Sequence, residues 1–409
     1  MAAPPSVAAN RQPRVVLTAG FGAATFLGAL GTDGFLPALV ALAHAFDMDV
    51  GRIQLAVASF FFGGAIGQAI VGPLADRFGR RPILLGGVAL YAATAATAVW
   101  ATDITVLIAL RALQGAAGSS GRIVVRAIVR DLYARDVAAR VMSYMTVFGT
   151  CIPIFAPMIS AQLVIHFDWR AVFVFMAAFA AFLWLLLWHY VDESLSEKNL
   201  HAIRPMHMLI NFIEIGRNRM FLAYGALAIG GPIGLSAFLS GSSAVLIGER
   251  GLDPDTFSFY FSLVMASNAA AAFVNARLIT TFGYAPMLAG GVALCAAAGI
   301  IELTLALADI TSVWAIIGPM MAYMVGMAFV QAPAQVGALV PFAERAGAAS
   351  SLMGIVQGLL STLSSLAVGF APKHSAAPMA TVTALAGVAV LLIYVAAARK
   401  MEAEARSRH

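Results

Sequence analysis

The stretch GPLADRFGRRP, residues 72–82, decides how this sequence is interpreted. It separates two apolar runs, so it is a short polar connection between two hydrophobic segments. Gly72 and Gly79 allow close packing and a tight turn at a membrane surface. The alternative is a generic basic turn without a specific function, but such a turn does not need the D-R-x-G-R spacing found here.

The charged residues of this connection also fit a position at a membrane surface. Asp76 is positioned to pair with a cation or to accept hydrogen bonds at a helix N-terminus. Arg77, Arg80 and Arg81 would hold the connection on an anionic, cytoplasmic membrane surface. The stretch therefore predicts a loop that joins two membrane spans.

Composition supports a membrane protein. The 409 residues are 61% hydrophobic and 11% charged, whereas soluble domains average about half apolar and one quarter charged. Apolar runs of about 20 residues, enough to cross a bilayer, recur from end to end. An ordinary globular enzyme is thereby excluded, and Cys151 and Cys295, both in apolar segments, are interpreted as small core residues.

Twelve spans are predicted from these runs. The first continues past signal-peptide length, so we interpret it as a retained span. The approximate spans are 15–40, 52–74, 82–101, 104–127, 140–165, 171–191, 219–246, 255–279, 286–308, 312–336, 348–371 and 378–398.

The basic residues indicate the orientation of these spans. Of the 25 Lys and Arg residues, twenty fall on the side of the two termini, in loops or towards that end of a span. The opposite side has Arg52, Arg170, Arg250 and Lys373, and Arg111 lies within a span. Because cytoplasmic loops are enriched in Lys and Arg, both termini are predicted to be cytoplasmic, and the net charge of +5 needs no nucleic-acid partner.

The polar stretch DESLSEKNLHAIRP, residues 192–205, divides the chain nearly in half. A stretch this polar is not stable in hydrocarbon, which favours a cytoplasmic linker between two six-helix bundles. The predicted organisation is a cytoplasmic N-terminus at 1–14, a bundle at 15–191, a linker at 192–218, a second bundle at 219–398 and a cytoplasmic tail at 399–409.

An internal repeat supports this division. ARLITTFGYAP, residues 276–286, matches residues 72–82 in its Leu, Phe, Gly and Pro at an offset of 204. DMD at 47–49 and DPD at 253–255 precede the following spans at an offset of 206.

Span four contains Arg111, Gln114 and Gly115 in an R-x-x-Q-G pattern. An arginine inside a span costs roughly 2.5–3.5 kcal/mol on insertion scales, which indicates a function or a partner. We predict Asp33 of span one as that partner, because both residues lie roughly 6–8 Å outside the bilayer centre. The alternatives are a structural tie between helices for Arg111 and an interfacial acid that reaches water for Asp33.

Span ten presents a row of adaptable side chains. Met320, Met324, Met327 and Gln331 fall on one helical face. Thioethers are polarizable and suit a cavity for varied apolar ligands. A core or lipid-facing stripe is an equally good interpretation of the same pattern.

Several motifs together resemble a known family. GPLADRFGRRP is similar to the G-x-L-x-D-R-x-G-R-[KR] loop of the major facilitator superfamily, and RALQG to its R-x-x-Q-G motif. With TD-x-x-LP at 32–37, RDLY at 130–133 and FDWR at 167–170, the chain resembles the Bcr/CflA subfamily of drug:proton antiporters. The antiporter motif of span five departs from this pattern, since only AP-x-x-SA remains at 156–161.

The resemblance implies a fold and two kinds of site. The fold would be an all-α integral membrane structure of twelve helices in two pseudo-symmetric six-helix bundles, with spans 1, 4, 7 and 10 around a cavity. Spans 3, 6, 9 and 12 would be peripheral, so Glu302 in span nine is expected to snorkel to the outer surface. A gating latch between the halves would involve Gly72, Asp76, Arg77, Gly79 and Arg80. Because Thr280 and Thr281 replace the acid and arginine in the second copy, a single latch is expected.

The function implied is proton-coupled export of small amphipathic molecules or drugs across the bacterial inner membrane by alternating access. Asp33 and Arg111 would couple protons, and Gln114, Met320, Met324, Met327 and Gln331 would join them in the substrate cavity. Substrate, protons and lipids would be the partners of a monomer without cofactor or metal. Proton-coupled uptake of a metabolite is the alternative. A membrane enzyme is less favoured, since the sequence has no HExxH or GxSxG motif.

Overall fold

A computed structural model describes residues 14–195, 205–371 and 375–398. Within these ranges the regular structure is helical, without strands. The predicted N-terminus up to residue 13 and the tail at 399–409 lie outside the described residues. The α-helices are α1 Val15–Thr25, α2 Leu27–Asp33, α3 Leu39–Ala45, α4 Val50–Ile53, α5 Leu55–Phe78, α6 Arg80–Ala98, α7 Ile104–Leu132, α8 Arg135–His166, α9 Trp169–Tyr190, α10 Pro205–Gly216, α11 Arg219–Ser243, α12 Pro254–Phe282, α13 Tyr284–Leu307, α14 Trp314–Leu339, α15 Ala346–Gly369 and α16 Ala377–Ile393.

These helices account for the predicted spans. Among the described residues, ten helical segments are long and apolar enough to cross a membrane. Helices α6 and α7, of 19 and 29 residues, are also long enough, but they contain arginines that lower their hydropathy. Together they make twelve crossings and confirm the predicted multi-pass, all-α membrane protein.

The first span differs from the continuous helix expected at 15–40. It is broken into α1, α2, a 3-10 turn at Leu36–Ala38 and α3, which ends at Ala45. The break after α2 follows from the local sequence, because Pro37 lacks a backbone N–H and disfavours helical geometry in the residue before it. Asp33, the last residue of α2, lies at this break.

The internal repeat is visible in the backbone. Helix α5 ends one residue before Gly79, and α12 ends one residue before Gly283. Both glycines have positive φ, 114° and 81°, in a region that side chains disfavour. The two turns are therefore equivalent at the predicted offset of 204.

The repeat preceding these helices has a corrected register. Asp49 caps α4 by accepting from the Gly51 N–H, and Asp253 caps α12 by accepting from the Thr256 N–H. These caps are also 204 residues apart. The predicted offset of 206 was wrong because DMD and DPD align by letter, whereas the last acid of one and the first of the other occupy the same structural position.

Contacts between Cα atoms divide the described chain into two compact units. The first falls within Met1–Phe35 and Ser59–Pro205, and the second within Leu36–Ala58 and Met206–His409. The second unit thus includes α3 and α4. The Ser243 hydroxyl donates to the Leu36 carbonyl at 2.9 Å, which helps to fix that segment there.

The predicted linker contains a helix. Helix α10 packs Ile215 into an apolar cluster with Phe221, Ala349 and Met353 of the second unit. Glu214 pairs with Arg345 at 2.7 Å on the same side. The polar part at 196–204 lies outside the described residues.

Candidate functional site

Arg111 is completely buried in the first unit. Its guanidinium donates to the Gln114 Oε1 at 2.6 Å and to the Gly31 carbonyl at 2.7 Å. It also lies over the rings of Phe35 and Phe60, 4.3 and 4.5 Å from their centroids. Hydrogen bonds and cation–π contacts in a desolvated site hold the charge in one position.

Asp33 follows by two residues the Gly31 carbonyl that Arg111 binds, but it does not form the direct pair with Arg111 that we predicted. Its carboxylate accepts from the Thr32 hydroxyl at 2.8 Å and is 5% exposed. Among the described residues, no ion pair within 4.0 Å joins Asp33 to Arg111. The guanidinium instead binds the carbonyl of Gly31, two residues earlier, so the arginine holds the end of α2 through its backbone.

Two residues of this cluster were missed by the sequence reasoning. Tyr91 of α6 is fully buried within electrostatic range of both Asp33 and Arg111. Met176 of α9 accepts through its sulfur from Gln114 at 3.9 Å. We had expected spans three and six to lie at the periphery of the bundle. In the sequence, the phenol of Tyr91 within an apolar run is the signal that could have indicated a place in this site.

Small residues allow α7 to approach its neighbours. A methyl group at Gly115 would overlap the Phe60 carbonyl of α5, and one at Gly121 would overlap the Ala24 carbonyl of α1. Such close approach of backbones is typical of packed membrane helices. This close approach of the helices explains how Arg111 reaches the backbone of α2.

The loop at the end of α5 is clasped by acidic side chains. Asp76 pairs with Arg80 at 2.5 Å, and Arg80 also reaches Asp131 at the end of α7 at 3.4 Å. Helix α5 extends through Gly72 to Phe78, so the polar connection is shorter than the predicted 72–82 and reduces to a turn at Gly79. Arg77 contributes a cation–π contact with its neighbour Phe78.

Glu193 completes this clasp and was not identified from the sequence. Its carboxylate accepts from the backbone N–H groups of Arg80 and Arg81 at 2.9 and 3.3 Å. A methyl group at Gly79 would overlap that carboxylate. No local sequence pattern indicates that an acid at the start of the linker binds a backbone group 112 residues earlier in the chain.

The methionines of α14 are packed within the second unit. Met320, Met324 and Met327 are 0, 2 and 5% exposed, and Gln331 is half-buried. Met327 lies against Gly231 of α11. In this structure they are therefore interior side chains of the second unit.

The expected snorkelling of Glu302 is wrong. The residue is 1% exposed, and neither carboxyl oxygen has a hydrogen-bond partner among the described residues. Helix α13 packs against both α14 and α16, and Gly299, one turn earlier, permits close approach of Ala384. This face of α13 is thus enclosed by protein, with Tyr323 within electrostatic range of the acid.

Comparisons with known proteins agree with this architecture. The model of the Major Facilitator Superfamily matches residues 21–372. The chain is 29% identical to the bicyclomycin resistance protein homolog of Haemophilus influenzae, covering 93% of this chain and 96% of the relative. It is 25% identical to multidrug resistance protein D of Escherichia coli, covering 92% and 94%.

The fold is also similar to solved structures. The xylose transporter XylE from E. coli aligns with a TM-score of 0.69 at 16% identity, covering 93% of this chain and 96% of that one. Because the family model spans most of the sequence and the helices follow the same fold, this chain belongs to the Major Facilitator Superfamily.

Proposed function

We propose that this protein exports small amphipathic molecules or drugs in exchange for protons, as a Bcr/CflA-type exporter of the bacterial inner membrane. The resistance functions in the names of its relatives support export. The basic residues in loops on the side of the termini support cytoplasmic ends. The protein acts as a monomer among lipids, uses the proton gradient in place of a cofactor, performs no catalysis and binds no nucleic acid.

The buried carboxyl of Asp33 carries this proposal. It ends α2 at the break in the first span, two residues after the carbonyl that Arg111 holds at 2.7 Å. A proton from the acidic exterior neutralises Asp33 and weakens its hold on substrate, so substrate leaves outward. Release of that proton to the alkaline cytoplasm restores the binding form.

The roles that we propose for the remaining cavity residues are argued from their positions in the structure. Gln114 shares a hydrogen bond with Arg111 and thus contacts the coupling site directly. Met320, Met324, Met327 and Gln331 offer substrate an adaptable surface once α14 is uncovered during alternating access. Because Met320, Met324 and Met327 are buried here, our proposal assigns their contact with substrate to another step of the cycle.

The clasped loop acts as the latch of that cycle. Gly72, Asp76, Arg77, Gly79 and Arg80 bias the equilibrium between inward- and outward-facing forms. The ion pairs of Arg80 with Asp76 and Asp131 support this role, because they tie the ends of α5, α6 and α7 together.

The test is drug affinity against pH. A susceptibility screen of cells with and without the gene selects the ligand, with bicyclomycin as the first compound. In nanodiscs, affinity must weaken as pH falls through the titration of Asp33, and this dependence must vanish in Asp33→Asn. Tighter binding at low pH, removed by the same substitution, would instead establish proton-coupled uptake.

A further inference from the structure

Three arginines form a stripe along the half of α7 that lies away from Arg111. Arg122, Arg126 and Arg130 recur every four residues, so they share one side of the helix. All three are exposed, while the other residues from 114 to 129 are buried or half-buried. The accessible surface of this part of α7 is therefore predominantly guanidinium.

This stripe is not simply the solvated end of a helix. Asp131 binds Arg80 and the Ser194 hydroxyl, which places that end of α7 beside the polar loop. Arg122 precedes Asp131 by nine residues, which is about 13 Å along the helix axis at 1.5 Å per residue. That depth is within the span, where a charge facing lipid is costly, so the stripe faces water.

The surroundings of Arg122 support a water-filled recess. Its side chain has accessible surface even though protein atoms surround it closely. The amide oxygen of Gln68 on α5, in its hydrogen-bonding orientation, accepts from the guanidinium. A group that is both crowded and accessible lies in a concavity.

No ion pair within 4.0 Å joins these arginines to an acid in the part of the chain that the structure describes. The ion pairs among the described residues involve Arg80, Arg170 and Arg345, and none includes the stripe. Instead, Arg122 lies within electrostatic range of Arg126, and Arg126 of Arg130. Three like charges in a recess are unfavourable unless an anion is drawn between them.

The stripe leads towards the candidate coupling site. Arg111 precedes Arg122 by eleven residues, about three turns, so it lies on nearly the same side of α7. Arg111 is buried, whereas the stripe is open. The face thus runs from an accessible, positively charged end to an enclosed site.

From this arrangement we propose that the stripe of Arg122, Arg126 and Arg130 binds the anionic group of the substrate, and that the substrates include small aromatic carboxylates or sulfonates. Guanidinium groups match such oxyanions through paired hydrogen bonds. The inference rests on the proposed exporter for the direction of transport, while the binding step itself is independent of it.

The test measures the charge preference of a cysteine in the stripe. Arg126→Cys is made in a Cys151→Ala background, because Cys151 is exposed and Cys295 is buried. The purified protein in phosphatidylcholine nanodiscs is treated with an anionic sulfonatoethyl or a cationic trimethylammonioethyl methanethiosulfonate. The anionic reagent should react roughly tenfold faster or more, relative to a free thiol.

Neighbouring charges are then removed. Arg122→Gln with Arg130→Gln should abolish the preference, whereas Lys at both positions, or the matched pair Arg170→Gln with Arg277→Gln, should retain it. If the Gln pair fails to fold, Arg130→Gln alone must reduce the preference. No reaction with either reagent, or an unchanged preference, would overturn the proposal.

Protection identifies the ligand class. Naphthalene-2-sulfonate should slow modification of the cysteine, and naphthalene-2-sulfonamide, of nearly the same shape but uncharged, should not. Equal protection by both, or by neither, contradicts an anion site. If phosphatidylglycerol in the nanodisc removes the preference, the stripe binds lipid headgroups and the substrate proposal is wrong. Because no transport is measured, failure of the exporter assignment leaves these results unaffected.

Discussion

The turns at Gly79 and Gly283 share a backbone but not an environment. Both glycines have positive φ and join helices at the same offset in the two halves. A side chain at Gly79 would meet the Glu193 carboxylate, whereas the space around Gly283 is open. The repeat therefore preserves the turn, and the acids that clasp it are found only at the first copy among the described residues. Gating is thus expected to depend on the first turn.

The buried acids of the two units, Asp33 and Glu302, also differ in their surroundings. Asp33 accepts a hydrogen bond from the Thr32 hydroxyl, while Glu302 has no hydrogen-bond partner among the described residues. Burial alone does not make an acid a coupling group. Gain or loss of its proton must also change the contacts that the acid makes with the helices that move during transport.

The largest expected effect separates these two acids. Asp33→Asn should abolish proton-coupled transport while leaving the protein folded, since it removes the carboxylate at the break in the first span. Glu302→Gln should retain coupling. The measurement is substrate-induced proton release in proteoliposomes, with monodispersity of each purified variant as the control for folding. Normal coupling in Asp33→Asn together with its loss in Glu302→Gln would reverse the assignment.

The sequence was sufficient for the approximate positions of the spans and for the repeated turns at Gly79 and Gly283. Hydropathy identifies segments of bilayer length, and Asp33 and Arg111 are conspicuous because charges are rare there. The buried face of Glu302 could not be predicted, because lipid and protein interior are similarly apolar and the pattern does not distinguish them. The contact of Arg111 with the Gly31 carbonyl depends on how the helices cross, and no local pattern records that.

A smaller effect is expected at the latch. Asp76→Asn removes a partly exposed pair with Arg80, of a kind worth about 0.2–1 kcal/mol. Populations of inward- and outward-facing forms should therefore change about fivefold at most, and transport should slow to a similar extent with little change in substrate affinity. The matched substitution in the second copy, Thr280→Ala, should leave the rate unchanged.

Accessibility of single cysteines at each mouth of the cavity, measured with the transport rate, checks this prediction. A shift towards inward-facing forms in Asp76→Asn alone supports one asymmetric latch. Unchanged accessibility combined with lost substrate binding would show that Asp76 acts on the binding site itself.

The smallest effect tests the turns directly through stability. Gly79→Ala and Gly283→Ala each force a side chain into backbone geometry that only glycine adopts readily, at about 1–3 kcal/mol. Gly79→Ala should cost more, because its methyl group also displaces the Glu193 carboxylate from the N–H groups of Arg80 and Arg81. Thermal unfolding in detergent gives both values. In a Glu193→Ala background most of the excess should disappear, since the shared backbone cost remains together with the tight contact to the Pro82 Cδ at 3.3 Å. Equal costs already in the wild-type background would show that Glu193 moves aside freely, and the clasp would then contribute nothing to the difference between the halves.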